Sequence, residues 1–341
     1  METLYKIALS LVLVLFLSAG FASAQTELEK GIELYKKDRN KEAISVLEKV
    51  GKQKEFKANA EVFNYLGLAY IKNNDLKRAR KTLEKTVELD PQNASYRTNL
   101  AYAYLLANKL NEAGRESTKS IELNQQNADA YYIRGFVNLR QGKYDEAIAD
   151  GDKSIAIDSD YSLSYLLKSD ALLSNFGKLV AGGAKPADEL DLLKQSKEAL
   201  ETCLNNCRNN SQTALQTERL DGVQAFYNYF SRRKDATLTP PGTPAPGVVT
   251  PPDPNALKII SKPRASYTDK ARQAGITGSI TLAVLFSESG RVTHTLILKG
   301  LDTSLNAEAV KAARQIVFEP AKENGKPISL VKIVQYNFMI Y

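Results

Sequence analysis

The stretch GSITLAVLFSESGRVTHTLILKG, residues 278–300, decides how the last part of this chain folds. Ile280, Leu282, Val284 and Phe286 alternate with Thr281, Ala283, Leu285 and Ser287, the period-two pattern of a strand with one strongly apolar face. Ser287-Glu288-Ser289-Gly290 reads as a hairpin turn, and the return strand carries Val292, His294, Leu296 and Leu298. Downstream, Ser304 or Asn306 begins a helix through Ala309, Ala312 and Ala313 that ends before Phe318, and Pro320 with Gly325-Lys326-Pro327 shapes the connection that follows. Ile328, Leu330, Val334, Tyr336, Phe338 and Ile340 then form one face of a long final strand, which Lys332 interrupts either as a bulge or as a charge against self-pairing. Upstream, Thr268 or Asp269 caps a short helix, residues 270–274, stopped by Gly275. A hairpin, a crossover helix and a third strand give the sheet order 2-1-3, so the final strand is an edge. An edge offers unpaired N–H and C=O groups to another chain's strand. The candidate partner-binding residues are therefore Ile328, Leu330, Val331, Lys332, Ile333, Val334, Gln335, Tyr336, Asn337 and Phe338.

The order Pro263-x3-Tyr267-x3-Ala271-x3-Gly275-x2-Gly278, two alternating strands, Leu305, Phe318-x-Pro320-Ala321-x3-Gly325-x-Pro327 and one last strand resembles the TonB C-terminal domain. The resemblance spans residues 263–341 and departs at Thr268, where the family usually has proline, and at Asn306, where aspartate is common. It implies a small α+β fold (ββαβ, antiparallel sheet) whose last strand captures a short segment of a TonB-dependent outer-membrane receptor, with no active site and no cofactor. TolA-type modules are similar and bind other envelope proteins; the Phe318-x-Pro320-Ala321 and Gly325-x-Pro327 runs favour the TonB type. A full TonB transducer is anchored in the inner membrane and couples to its motor through a membrane histidine. Here the one histidine is His294, inside the last domain.

Further back the chain repeats itself. Gly67, Ala101 and Gly135 are 34 residues apart, as are Ala79, Ala113 and Ala147, and the pair Gly31 and Ala43 keeps the same internal spacing of 12. Small residues at two fixed positions mark a close helix crossing, since a larger side chain would push the backbones apart. Tyr70 and Tyr104 follow the first small residue by three, and Pro91 closes the second repeat, because proline cannot donate to the helix ladder. The pattern resembles the tetratricopeptide repeat, two antiparallel helices per unit, which implies an all-α superhelix of four repeats over residues 25–160. In that family the first helices line the concave surface. The equivalent positions here are Ile32, Leu68, Tyr102 and Phe136, flanked by Leu28, Asn64, Thr98 and Tyr132, and by Tyr35, Ile71, Leu105 and Leu139. The candidate repeat groove is thus Ile32, Tyr35, Leu68, Ile71, Tyr102, Leu105, Tyr132, Phe136 and Leu139, an apolar ladder for an extended or helical peptide. The other reading buries part of it between neighbouring helices.

Residues 161–235 read as a degenerate fifth repeat and a capping helix. The first helix is 162–174, an insertion covers 178–186, the second helix is 187–205, and an amphipathic helix with Leu215, Leu220, Val223, Phe226, Tyr227 and Phe230 runs over 213–232 to cover the exposed end of the array. Cys203 and Cys207 fall on one face of the second helix. Export admits a disulfide between them, although a bridge within one helical turn is strained; the alternative is two small residues packed near a helix end. Seven of the twelve prolines lie in residues 239–254, so 236–256 is a semi-rigid linker, reaching about 50 Å at ~3.1 Å per residue. The last domain is 257–341.

The N-terminus, residues 1–24, reads as a signal peptide: Lys6, an apolar run over 7–17, then Ala22-Ser23-Ala24 as a cleavage site. The competing reading is an uncleaved anchor, of borderline length for a bilayer span. The net charge is +7, and from Leu257 onward twelve Lys/Arg face six Asp/Glu, so most of the excess sits in the last domain. Such a domain is steered toward acidic partners or is simply solvated; its basic residues are scattered without base-stacking aromatics, which argues against nucleic acid. One histidine, no metal-spaced His/Cys cluster and no Gly-rich phosphate loop argue against an enzyme or a metal site. The sequence points to a periplasmic interaction adaptor, its repeats binding one protein and its last strand a TonB-dependent receptor or another envelope protein. The alternative is a membrane-anchored, TonB-like energy transducer for outer-membrane transport.

Overall fold

The computed structural model describes residues 25–206, 213–234, 236 and 255–339. The expected leader, Cys207, Ile340 and the Pro-rich segment 239–254 lie outside the described residues. The contacts divide the chain into two units, Met1–Ile133 and Arg134–Tyr341. The division falls inside the fourth repeat and not at the proline-rich segment.

In the first unit, helix α1 (25–36) is followed by α2 (Asn40–Val50), a 3₁₀ turn (Lys54–Phe56), α3 (Ala60–Lys72), α4 (Leu76–Leu89), α5 (Ala94–Leu106) and α6 (Leu110–Leu123), and α7 (Ala128–Arg140) crosses the division. Each hairpin turns on a residue at positive φ: Asp38, Asn74 and Asn108, with Gly142 at the equivalent place in the second unit. Asn, Asp and Gly tolerate the left-handed conformation that ends a helix. At Asn74 the motif is completed by Asn74 N–H to Ile71 O (2.9 Å) and Asp75 N–H to Tyr70 O (2.9 Å). The next helices start on Asn59, Asn93 and Asn127, whose side chains accept from the first-turn amides, as N-caps do. The seams are as tight as the spacing predicts. A Cβ on Gly31 would lie 2.7 Å from Leu47, and one on Gly67 2.5 Å from Leu83, while Ala43, Ala79, Ala101 and Ala113 are fully buried.

The second unit begins with the rest of α7, then α8 (Tyr144–Ile157), α9 (Ser162–Ala181), α10 (Leu190–Asn206) and α11 (Thr213–Arg232). Helix α9 runs well past the expected end at Ser174 and takes in the first residues of the expected insertion, and α10 starts at Leu190 instead of Ala187. The extension is held because Phe176 and Val180 are buried. The C-terminal module follows as β1 (Lys258–Ser261), α12 (Asp269–Gln273), β2 (Gly278–Phe286), β3 (Val292–Lys299), α13 (Thr303–Arg314), β4 (Val317–Glu319), β5 (Lys322–Glu323), β6 (Lys326–Pro327) and β7 (Leu330–Phe338). Thr268 caps α12, its hydroxyl accepting from Ala271 N–H. The cap of α13 is Asp302, which accepts from Ser304 and Leu305 N–H, in place of the expected Ser304 or Asn306. Asn306 instead takes the Leu301 N–H at 3.0 Å.

The three long strands form an antiparallel sheet in the order β3-β2-β7, as the 2-1-3 expectation requires. Two short ribbons were not expected: β1 pairs β4, and β5 pairs β6 across a turn with Asn324 and Gly325 both at positive φ, the two-residue turn that suits a twisted hairpin. Both faces of the sheet are covered. Ile280, Leu282, Val284, Phe286, Val334, Tyr336 and Phe338 pack on Leu305, Ala309, Ala312, Ala313 and Phe318, and the Phe286 and Phe318 rings meet edge-on at 4.8 Å. Ala283, Leu296, Leu298 and Val331 pack on Leu173, Phe176, Val180, Val223, Phe226 and Phe230 of α9 and α11. Helix α11, read above as a cap on the repeats, is therefore also a seat for the sheet. Two helical glycines permit the approach: a Cβ on Gly177 would lie 2.7 Å from Leu298, and one on Gly222 3.0 Å from Thr295 O. The register shift in β3 opposite Leu285/Phe286 sends Val292 to the first core while Leu296 and Leu298 lie in the second, splitting the single face expected of that strand.

Candidate partner-binding surfaces

Strand β7 pairs with β2 without a break, from Gly278↔Phe338 to Phe286↔Leu330, and the sheet ends there. Lys332 sits in that ladder opposite Val284 and is exposed, so it is a charge on the edge and not a bulge. The direction of the outer main-chain groups follows from β2. Ser287 N–H donates to Arg291 O (2.9 Å) and the Thr293 hydroxyl to Leu285 O (3.5 Å), so the odd-numbered residues of β2 face β3. Main-chain groups alternate sides along a strand. Phe286, Val284, Leu282 and Ile280 thus bond Leu330, Lys332, Val334 and Tyr336, and Val331, Ile333, Gln335 and Asn337 aim N–H and C=O outward.

The side chains divide by the same alternation. Val334, Tyr336 and Phe338 are buried in the first core, with Leu330 and, just before the strand, Ile328 packed against it. Val331 is buried in the second core with Ile333 beside it, and Gln335 and Asn337 are exposed. One side chain that sequence reasoning did not single out reaches the edge. Lys262 Nζ donates to Gln335 O at 2.8 Å and lies 4.8 Å from the centre of the Tyr336 ring; burial pulls its pKa down. Burial pushes the Tyr229 phenol of α11 up. Burial also pushes the Tyr336 phenol up to about 12, and its hydroxyl has no partner among the described residues. Lys262 stands next to Pro263 at the start of the quoted motif, which is the one signal that could have drawn attention to it. His294 is a strand residue opposite Leu285.

The repeat positions are less uniform. Leu28, Asn64 and Thr98, expected to flank the groove, are buried; Asn64 accepts from Asn99 Nδ2 at 2.8 Å, and the Thr98 hydroxyl meets that of Ser120 at 2.7 Å. Ile32, Tyr35 and Ile71 pack against the core of the first repeats, with Tyr35 edge-on to Tyr65 at 5.6 Å. Leu68, Leu105 and Tyr132 are half-buried and Tyr102 is 40% exposed. Phe136 and Leu139, both half-buried, belong to the second unit. Cys203 is buried on α10. Among the described residues no group of three or more His, Cys, Asp or Glu side chains is placed to hold a metal ion, and no helix is long and apolar enough to cross a membrane.

The sequence matches the Gram-negative bacterial TonB protein C-terminal family over residues 263–340, the tetratricopeptide repeat over 34–101 and the anaphase-promoting complex, cyclosome, subunit 3 family over 72–150. The chain joins tetratricopeptide repeats to a TonB-type C-terminal domain. Both are protein-interaction modules. No curated protein matches the chain. Solved structures similar to it include TTC0263, a thermophilic tetratricopeptide protein of Thermus thermophilus (18% identity, 59% of this chain and 99% of that one, TM-score 0.46), and MamA (28% identity, 50% and 93%, TM-score 0.42). Another is YrrB, a tetratricopeptide protein with an unusual peptide-binding site (14% identity, 56% and 89%, TM-score 0.42). The TonB-type domain supplies the sheet with the outward edge on β7, and the repeats supply the seams and the partly exposed ladder.

Proposed function

We propose that this protein is an exported adaptor of the cell envelope. The repeats hold one protein partner, and β7 of the TonB-type domain takes up an extended segment of a second by adding a strand, that second partner being a TonB-dependent outer-membrane receptor or another envelope protein. The observation that carries this reading is the one-sided pairing of β7. Main-chain groups on such an edge supply affinity for any extended segment, and side chains at alternate positions supply selectivity. The basic charge of the last domain draws an acidic segment toward it.

Cysteines at Gln335 and Asn337, both exposed and with main chain facing outward, test the pairing in cells, with Lys41→Cys on α2 as an exposed control. The expected result is a disulfide-linked partner from 335 and 337 and not from 41, with partner residues crosslinked at alternate positions along one segment. Adducts of equal yield from all three sites, or partner residues scattered over a folded surface, would falsify strand addition. N-terminal sequencing of the same material separates an exported adaptor, cut after Ala24, from an anchored transducer with an intact N-terminus.

A further inference from the structure

The sheet has two edges, β3 and β7, and they are built differently. Strand β7 pairs with β2 without a break, and its outward main-chain groups include those of the exposed Gln335 and Asn337. Strand β3 carries register shifts near both ends of its pairing with β2, and a helix packs on it from each side. Helix α11 lies on one face, where Val223, Phe226 and Phe230 meet Leu296 and Leu298. Helix α13 lies on the other, where Ile297 packs on the cluster that holds Leu305 and Ala309. The two helices are joined past β3 by an ion pair in which Arg314 of α13 donates to Glu218 of α11. One turn further along α11, Gly222 meets the strand's main chain: a Cβ there would lie 3.0 Å from Thr295 O. Thr295 stands opposite Val284, whose main-chain groups bond β7, so the Thr295 C=O points away from β2. The glycine hydrogen that takes the place of a Cβ faces that carbonyl, a weak C–H···O contact. Helix α11 is itself held on α9, since Arg219 donates to Gln216 Oε1 at 3.0 Å and to Asp170 of α9.

A sheet with both edges free can add to itself. Strand β7 of one copy fits β3 of the next, a heterologous contact that does not close and grows into fibres. We propose that α11 and α13 clasp the β3 edge through Gly222 and the Glu218–Arg314 pair, so that the sheet takes one strand, at β7, and cannot chain with copies of itself. Covering an edge with a helix is an ordinary protection against unwanted pairing, but here the helix comes from outside the TonB-type domain. The uptake of a strand at β7 rests on the reading of the preceding subsection; the closure of β3 does not.

Two changes in the full chain separate the edges. Gln335→Pro blocks β7, because it removes an outward N–H and keeps the pairing with β2. Gly222→Val opens β3, because the branched side chain pushes α11 off Thr295 O. The probe is a synthetic peptide of residues 328–338, ISLVKIVQYNF, the strand a second copy would offer. The parent protein is expected to bind one peptide, and Gln335→Pro to bind it at least about tenfold more weakly. Gly222→Val with Gln335→Pro is expected to bind it again, at β3. Amide exchange at Leu282 and Val284, which bond β7 from the central strand, reports whether the sheet is intact. Where Gly222→Val exposes them, Glu218→Arg serves as the opening change, and adding Arg314→Glu is expected to close β3 again. Two peptides on the parent, equal affinity for parent and Gln335→Pro, or no peptide on the opened and blocked protein with its sheet intact overturns the clasp. A peptide bound by the opened and blocked protein but not by the parent overturns strand addition at β7 and leaves the clasp standing.

Discussion

The first repeats and the TonB-type domain use glycine for the same purpose and reach opposite kinds of structure. In the repeats, Gly31 and Gly67 let a helix close on the helix that follows it, against Leu47 and Leu83 sixteen residues on. In the second unit, Gly177 lets α9 close on Leu298 of β3, far along the chain and beyond a proline-rich segment. A local seam recurs with the chain's own period and announces itself. A long-range seam occurs once and has no period. The same contact physics therefore yields a region built from neighbours and a region built from distant partners, and loosening each should have different consequences.

Core truncation gives the largest test of that difference. Leu83→Ala and Phe226→Ala each empty a fully buried site, at a cost of about 2–5 and about 3–5 kcal/mol respectively. Hydrogen exchange is expected to rise across α3 and α4 in the first variant and across β3 and β7 in the second, each leaving the other region protected. Equal loss everywhere in both variants breaks the comparison. Overpacking at the seams is the next largest effect. Gly67→Val and Gly177→Val each force a side chain into a contact that a bare Cβ already makes too short, costing about 1–3 kcal/mol. Leu83→Ala should recover part of the loss only in the first case and Leu298→Ala only in the second, measured by double-mutant cycles in urea.

The smallest effect sharpens the electrostatic side. Tyr70 and Tyr104 are both pushed up to about 12, first by burial and then by the carboxylates of Glu48 and Glu84, to which they donate at 2.5 and 2.9 Å. Tyr336 reaches about 12 by burial alone. A phenol whose folded pKa lies above its unfolded value of ~10 stabilises the fold fully below that value, and the contribution is lost as pH rises toward about 12. Both regions should therefore lose stability between about pH 10 and about pH 12. Glu48→Gln should lower the tyrosinate midpoint of Tyr70, followed by absorbance at 295 nm in single Tyr→Phe backgrounds, and leave Tyr336 untouched. A shift at Tyr336 would mean that carboxylates and not burial hold its proton.

Much of the fold was legible because its causes are short-range. The small-residue pairs at Gly31/Ala43 and Gly67/Ala79 give the repeats, and the alternation over 278–300 gives the hairpin. Asn74, Asn108 and Gly142, like the caps Asn59, Asn93 and Asn127, carry a signal of the same period that the small residues overshadowed. What was not legible has a physical reason in each case. The end of α9 at Ala181 depends on Phe176 and Val180 meeting a sheet made more than a hundred residues later. The split of β3 between two cores depends on a bulge that shifts register, and no alternation pattern shows a bulge. Leu285, Leu296, Leu298, Val331 and Ile333 were a visible second apolar set, but alternation cannot say what would cover it.

By itself, then, the sequence determined the helical hairpins, their seams and the sheet order with β7 outermost, because turn chemistry, side-chain size and period act over a few residues. Only the tertiary structure decided that α9 and α11 cover the sheet's second face and that Lys262 stands at its outer edge. Those contacts join residues far apart in the chain, and no local rule relates the apolar face of a helix to the face of a strand made much later.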